Sequence, residues 1–168
     1  MTSPENVLLY LSPEHDAQVR EIFGQLAAMG FPEQKQTPHI SITFAPKLKP
    51  QVVQRAAELL PEVIPATLER RGVVVFGRKR KQTVAWLLEG STRLEEVARE
   101  ISALNPDGRG ARWIPHLTMG LRLPREIVPA YVEALGQVTS SHFYQIHAQR
   151  AGYWQPAQQQ LHTLADNS

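Results

Sequence analysis

The chain has 168 residues, of which 42% are hydrophobic and 20% charged, with no cysteine and a net charge of +2. That length fits one domain or two small lobes sharing a core, with enough apolar material to need no disulfide or structural metal. The absence of cysteine excludes disulfides, thiolate metal sites and a cysteine nucleophile, and the mild basic excess is too small to imply nucleic-acid binding by itself. Met1–Asn6 lacks a basic-then-apolar leader pattern and the run Val7–Leu11 is too short to cross a bilayer, so a cytoplasmic chain with no membrane partner is expected.

Val7–Leu11 reads as a buried strand. Ser12 as N-cap and Pro13 at the first helical position then start a helix to Met29, with Val19, Ile22, Phe23 and Leu26 on its apolar stripe and Gly30 ending it. His39–Phe44 is predicted as a strand and Gln51–Leu60 as a helix. Leu68–Phe76 and Thr83–Leu88 form a hairpin closed by the polar turn Gly77–Gln82. Ser91 or Thr92 caps a third helix with Leu94, Val97, Ala98, Ile101 and Leu104 as its stripe, and Asn105–Gly110 is a loop. Trp113–Leu121 is predicted as a strand. A fourth helix follows with Pro129 in its first turn, then strands at His142–Ala148 and Gln159–Leu164.

One short pattern occurs twice: Pro-His-Ile-Ser-Ile at Pro38–Ile42 and Pro-His-Leu-Thr-Met at Pro115–Met119. Alternation along a strand puts His39 and Ser41 on one face, and likewise His116 and Thr118, while Ile40, Ile42, Leu117 and Met119 face a core. With six histidines in the chain, roughly half a chance match to one such motif is expected, so a single copy would mean little. Two copies after proline, at the same point of a repeated strand–helix–strand order, carry more weight. The repeat of about 77 residues is too long for a solenoid and suits two pseudo-symmetric lobes within one domain.

The chemistry of such pairs is coherent. An imidazole with a pKa of about 6.5 gives or takes a proton near neutral pH, and two opposed imidazoles serve as base and acid on either side of one reacting atom. Side chains at i and i+2 stand about 6.6 Å apart, a span one phosphate can bridge. The hydroxyls of Ser41 and Thr118 can donate to phosphate oxygens as charge builds on them.

These two motifs, at this separation and with this element order, resemble the two-histidine (2H) phosphoesterase superfamily, and within it the 2′-5′ RNA ligase-like RNA 2′,3′-cyclic phosphodiesterases. The resemblance implies an α+β fold: two pseudo-symmetric lobes of antiparallel sheet, with outer helices, flanking a central cleft. It implies catalysis by His39 and His116 without cofactor or metal, and phosphate binding by Ser41 and Thr118. His116 would activate water and His39 would protonate the leaving 3′ oxygen, leaving a 2′-phosphate. Reverse 2′-5′ ligation of RNA ends is implied as well. Serine at position 41 departs from the threonine of many members, and Arg122 lies near a basic residue of some relatives. The implied partners are RNA with 2′,3′-cyclic phosphate ends, or cyclic nucleotides, acted on by a monomer.

Further substrate contacts are weighed at Arg122, at Arg78 and Lys79 in the basic turn, and at Tyr10. The basic turn reads first as a solvated loop, and Phe76, Trp86 and Trp154 read first as core. His15 and His147 are expected on the surface or in loops, and Asp107–Gly110 as a plain turn. Two alternatives stay open: a phosphodiesterase for another cyclic or linear nucleotide, and a non-catalytic RNA- or nucleotide-binding protein with the same cleft.

Overall fold

A computed structural model describes residues 3–167. Seven strands and four helices follow in chain order: β1 (Glu5–Leu11), α1 (Pro13–Ala28), β2 (His39–Ala45), α2 (Pro50–Val63), β3 (Ala66–Phe76), β4 (Lys81–Glu89), α3 (Thr92–Ala103), β5 (His116–Pro124), α4 (Val128–Val138), β6 (Gln145–Gln155) and β7 (Gln160–Asp166). The helices start where their caps dictate. The Ser12 Oγ accepts the His15 amide, and the Ser91 Oγ accepts the Leu94 amide at 3.1 Å. Pro129 falls in the first turn of α4, as expected, behind a short 3-10 turn at Arg125–Ile127.

All strand pairings are antiparallel, in the order β2-β1-β6-β3-β4-β5, with β7 added to β6. β6 carries β3 along Gln145–Ala148 and β7 along Arg150–Gln155, so the two share one edge of the strand in series. The chain order β-α-β-α-β runs twice, and each run gives its third strand away. β3 lies beside β4 of the second run, and β6 beside β1 of the first. The result is the expected α+β arrangement of two similar sheet halves. The repeat begins earlier than the motifs suggested, at β1 and at β4.

One face of the sheet is apolar and covered. Val7 and Leu9 of β1, Ile40 and Ile42 of β2, Val84 and Trp86 of β4, and Leu117 and Met119 of β5 join the helix stripes in one continuous core. Burying such side chains stabilises by about 1.5–3 kcal/mol each. The helices pair as α1 with α4 and α2 with α3. The Tyr131 hydroxyl of α4 donates to the Met119 carbonyl, tying helix to motif strand, and burial pushes this phenol well above its usual pKa.

Several local expectations are corrected. His15 is buried rather than exposed: its Nδ1 accepts the His147 amide at 2.9 Å, and the two rings stack at 4.5 Å. The strand expected at His142–Ala148 starts later and runs to Gln155. Gly152 masked it, because the neighbouring strand comes so close that a Cβ there would stand 2.6 Å from Leu161 Cδ1. Trp113–Pro115 is not strand, since the Trp113 indole turns to donate to the Ser41 carbonyl at 2.9 Å.

Candidate active site

β2 and β5 are the two ends of the six-strand path, yet they contact one another. The sheet therefore curls until its outer strands face each other across the uncovered face. Those are the two motif strands. His39, Ser41, His116 and Thr118 are all partly buried on that face, opposite the core residues that alternate with them.

The two imidazoles are held identically. His39 Nδ1 lies 2.7 Å from the Thr37 carbonyl, and His116 Nδ1 lies 2.6 Å from the Ile114 carbonyl, in each case the residue two before it. A carbonyl oxygen only accepts, so each Nδ1 carries the proton and each neutral ring keeps its lone pair at Nε2. Burial lowers the pKa of His39, opposed by the Thr37 carbonyl. Burial also lowers that of His116, opposed by the Ile114 carbonyl and reinforced by the charges of His39 and Arg109. The effect of His39 on His116 places the two rings within electrostatic reach of each other.

Each motif is followed by the same distortion. Leu8 pairs with Ser41 but Val7 with Thr43, leaving Ile42 extra; Ala85 pairs with Thr118 but Val84 with Gly120, leaving Met119 extra. A bulge shifts the facing by one residue. Phe44 and Leu121 thereby become exposed, at 55% and 47%, where unbroken alternation would bury them with Ile42 and Met119. Thr43 instead turns inward, and its hydroxyl accepts from Asn105 Nδ2 at 2.8 Å.

The surroundings of the two pairs differ. Ser41 Oγ accepts from Asn6 Nδ2 at 2.8 Å, which leaves its own proton free to donate. The Thr118 hydroxyl has no protein partner among the described residues. Beside His39, Tyr10 is the cross-strand neighbour, with the Arg150 guanidinium 5.0 Å above its ring. Beside His116 lies Phe76, ring to ring at 4.7 Å. Phe76 is thus a cleft residue and not core, whereas Trp86 is core at 1% exposure.

A cavity of about 410 Å3 opens at this point, with Ser41, Phe44, Phe76, Arg109, Trp113 and His116 in its wall. Arg109 sits in the turn read as featureless. That loop is anchored by Asn105, which is 3% exposed and also donates to the Phe44 carbonyl at 3.0 Å. Arg122 and Lys79 line a separate, more open groove, while Arg78 is exposed outside its lining. Asn6 was missed because the strand was started at Val7; extending the alternation from Tyr10 back through Leu8 would have found it. Arg109 had no comparable signal, since its place depends on how the sheet curls, and Phe76, weighed as a stacking residue but read first as core, lies in the cleft instead. Among the described residues, no group of three or more histidine or acidic side chains is placed to hold a metal ion.

The fold joins two similar half-sheets, each with one His-x-Ser/Thr strand at its outer end. A family model described as the 2′-5′ RNA ligase superfamily matches residues 11–157, and the chain belongs to that superfamily. Among solved structures, Usb1 of Kluyveromyces marxianus is similar in fold, with a TM-score of 0.60 at 12% identity over 98% of both chains. The same protein with uridine monophosphate gives 0.57 at 11% identity, again over 98% of both chains. No curated protein sequence matches the chain. Among the described residues no helix is long and apolar enough to cross a membrane.

Proposed function

We propose that this chain is a phosphodiesterase that opens 2′,3′-cyclic phosphates of RNA ends or nucleotides, leaving 2′-phosphates, with His39 and His116 as its acid–base pair. The observation that supports the reading is the matched tethering of both Nδ1 atoms, which leaves each ring an Nε2 lone pair for proton transfer. Uridine monophosphate on a protein of the same fold agrees with a nucleotide in that cleft.

In this mechanism neutral His116 takes a proton from water as the water oxygen bonds to phosphorus. The bond from phosphorus to O3′ breaks on the opposite side, and O3′ receives the Nε2 proton of His39. Ser41 and Thr118 donate to the non-bridging oxygens, whose charge rises in the transition state. Both resting imidazoles have lowered pKa values, so the acid must gain its proton with substrate present. The anionic phosphate favours that, because an opposite charge nearby stabilises the imidazolium. 2′-5′ ligation would open the same cyclic phosphate with a 5′ hydroxyl attacking phosphorus in place of water as the bond to O3′ breaks, and cleavage of a 2′-5′ bond by the 3′ hydroxyl is its reverse.

The test is hydrolysis of a mononucleotide 2′,3′-cyclic phosphate in the presence of chelator, with the product isomer assigned by phosphorus NMR. Turnover to the 2′-phosphate is expected and should be insensitive to EDTA. Loss of activity with EDTA, or no turnover of any cyclic phosphate, would sink the reading.

A further inference from the structure

A cationic surface near the cleft lies outside the four motif side chains. The β3–β4 hairpin and the end of β5 enclose an open groove of about 860 Å3, lined by Lys79, Arg80, Lys81, Arg122 and Arg125 with a single carboxylate, Glu126. The five cations are exposed and, among the described residues, none is in an ion pair, whereas Arg20, Arg55, Arg71, Arg93 and Arg99 elsewhere all have carboxylate partners. Like charges gathered without counter-ions cost free energy unless an anion joins them.

The groove adjoins the cavity at His116, since Phe76 and Thr83 line both. The backbone is shaped to hold it. Arg122 takes a left-handed conformation at φ 49°, uncommon outside glycine, and its amide donates to the Thr83 hydroxyl at 3.1 Å. The Arg125 amide donates to the Arg80 carbonyl at 2.9 Å, closing the hairpin against the strand end. A residue held in a sparsely populated conformation by its neighbours is where local function is to be sought. An aromatic ring between a phosphate-binding site and a cationic groove is the arrangement that single strands use, with bases stacked and the backbone on cations.

We infer that the groove between the β3–β4 hairpin and the end of β5 binds the phosphates of single-stranded RNA whose terminal phosphate is in the cleft, with Phe76 as the step between them, so that oligonucleotides are the preferred substrates. The inference takes its chemistry from the phosphodiesterase reading and adds a direction for the strand.

The experiment measures kcat/KM for a mononucleotide 2′,3′-cyclic phosphate and for an RNA of about six nucleotides with the same end. Wild type should favour the RNA by about tenfold or more at about 50 mM salt, and most of that advantage should vanish at about 200 mM. The triple variant Arg80→Ala/Lys81→Ala/Arg125→Ala keeps the backbone hydrogen bonds. It should lose the RNA advantage while mononucleotide turnover changes less than about twofold, and its salt slope should be shallower by about two, near 0.7 for each phosphate no longer neutralised. Arg80→Lys/Arg125→Lys, which keeps the charge, should recover most of the preference. Equal rates on the two substrates in wild type, or equal losses on both in the triple variant, would overturn the groove. Binding of a 3′-hydroxyl RNA, read by fluorescence anisotropy, separates the two claims. If no cyclic phosphate is opened, the phosphodiesterase reading falls, and tighter RNA binding by wild type than by the triple variant still upholds the groove; equal binding rejects it.

Discussion

β2 and β5 are near copies in everything that touches a proton and unlike in everything that would touch the rest of a substrate. Each places histidine after proline, ties Nδ1 to the carbonyl two residues back, and bulges one residue after the hydroxyl. Beyond that the strands part. Ser41 is steadied by Asn6, and the chain then leaves through Ala45 and Pro46. Thr118 is unbraced, and the chain continues to a left-handed arginine on a cationic groove. A symmetric pair of imidazoles cannot by itself tell the attacking side of a phosphate from the leaving side. In the proposed mechanism that distinction falls to the asymmetric surroundings.

The largest test of the symmetric half is removal of the imidazoles. His39→Ala and His116→Ala should each lower kcat by about 10²–10⁴, or about 2.7–5.5 kcal/mol of barrier. A loss under tenfold from either, measured with folding checked by circular dichroism, would remove that residue from the chemistry.

The hydroxyls probe where the symmetry ends. Ser41→Ala should cost about 10² in kcat, as expected for a preorganised donor, and Thr118→Val less, because Thr118 lacks a partner that fixes its direction. Asn6→Ala should lower kcat by a smaller factor with KM little changed. Equal losses at Ser41 and Thr118 would mean that the Asn6 brace has no catalytic consequence.

The pH profile comes next. In the proposed mechanism turnover needs one neutral and one protonated imidazole, and burial lowers both pKa values from the ordinary 6.5. Above that value both rings are neutral and the acid is missing; well below it both are charged and the base is missing. The maximum of kcat/KM should therefore lie on the acid side of 6.5, and that of kcat at higher pH, since bound phosphate raises the pKa of the acid. A kcat/KM maximum above neutrality would contradict the burial-lowered pair.

The smallest effect concerns the scaffold. Gly120 occupies in β5 the place that Thr43 occupies in β2, and a Cβ there would lie 2.6 Å from both Leu123 Cδ1 and Tyr131 Cε1. Gly120→Ala should destabilise by about 1–3 kcal/mol through overpacking, read by urea unfolding. An unchanged midpoint would show that α4 yields without cost.

The four motif residues and most element positions could be read from the chain, because period-2 alternation and capping are local. His39 and Ser41 share a face for reasons already present in five residues of sequence. The bulges at Ile42 and Met119 are not local in this sense. They follow from pairing with β1 and β4, and without them Phe44 and Leu121 are misplaced on the core side. Arg109 reaches the site only because Asn105 pins its loop to β2, across 62 residues of sequence. His15 looked like a surface residue because its partner is a backbone amide of β6, 132 residues away.

The exchange of third strands has a mechanical consequence. Among the strand pairings, only Ala66–Glu69 of β3 and Gln145–Ala148 of β6 join the two half-sheets, and at the other end they meet through β2 and β5, where the Trp113 indole donates to the Ser41 carbonyl. Leu68 and Ile146, both wholly buried and directly opposed at the β3–β6 join, touch no substrate in this arrangement. The site belongs to neither half alone, as an active site at a subunit boundary belongs to neither subunit.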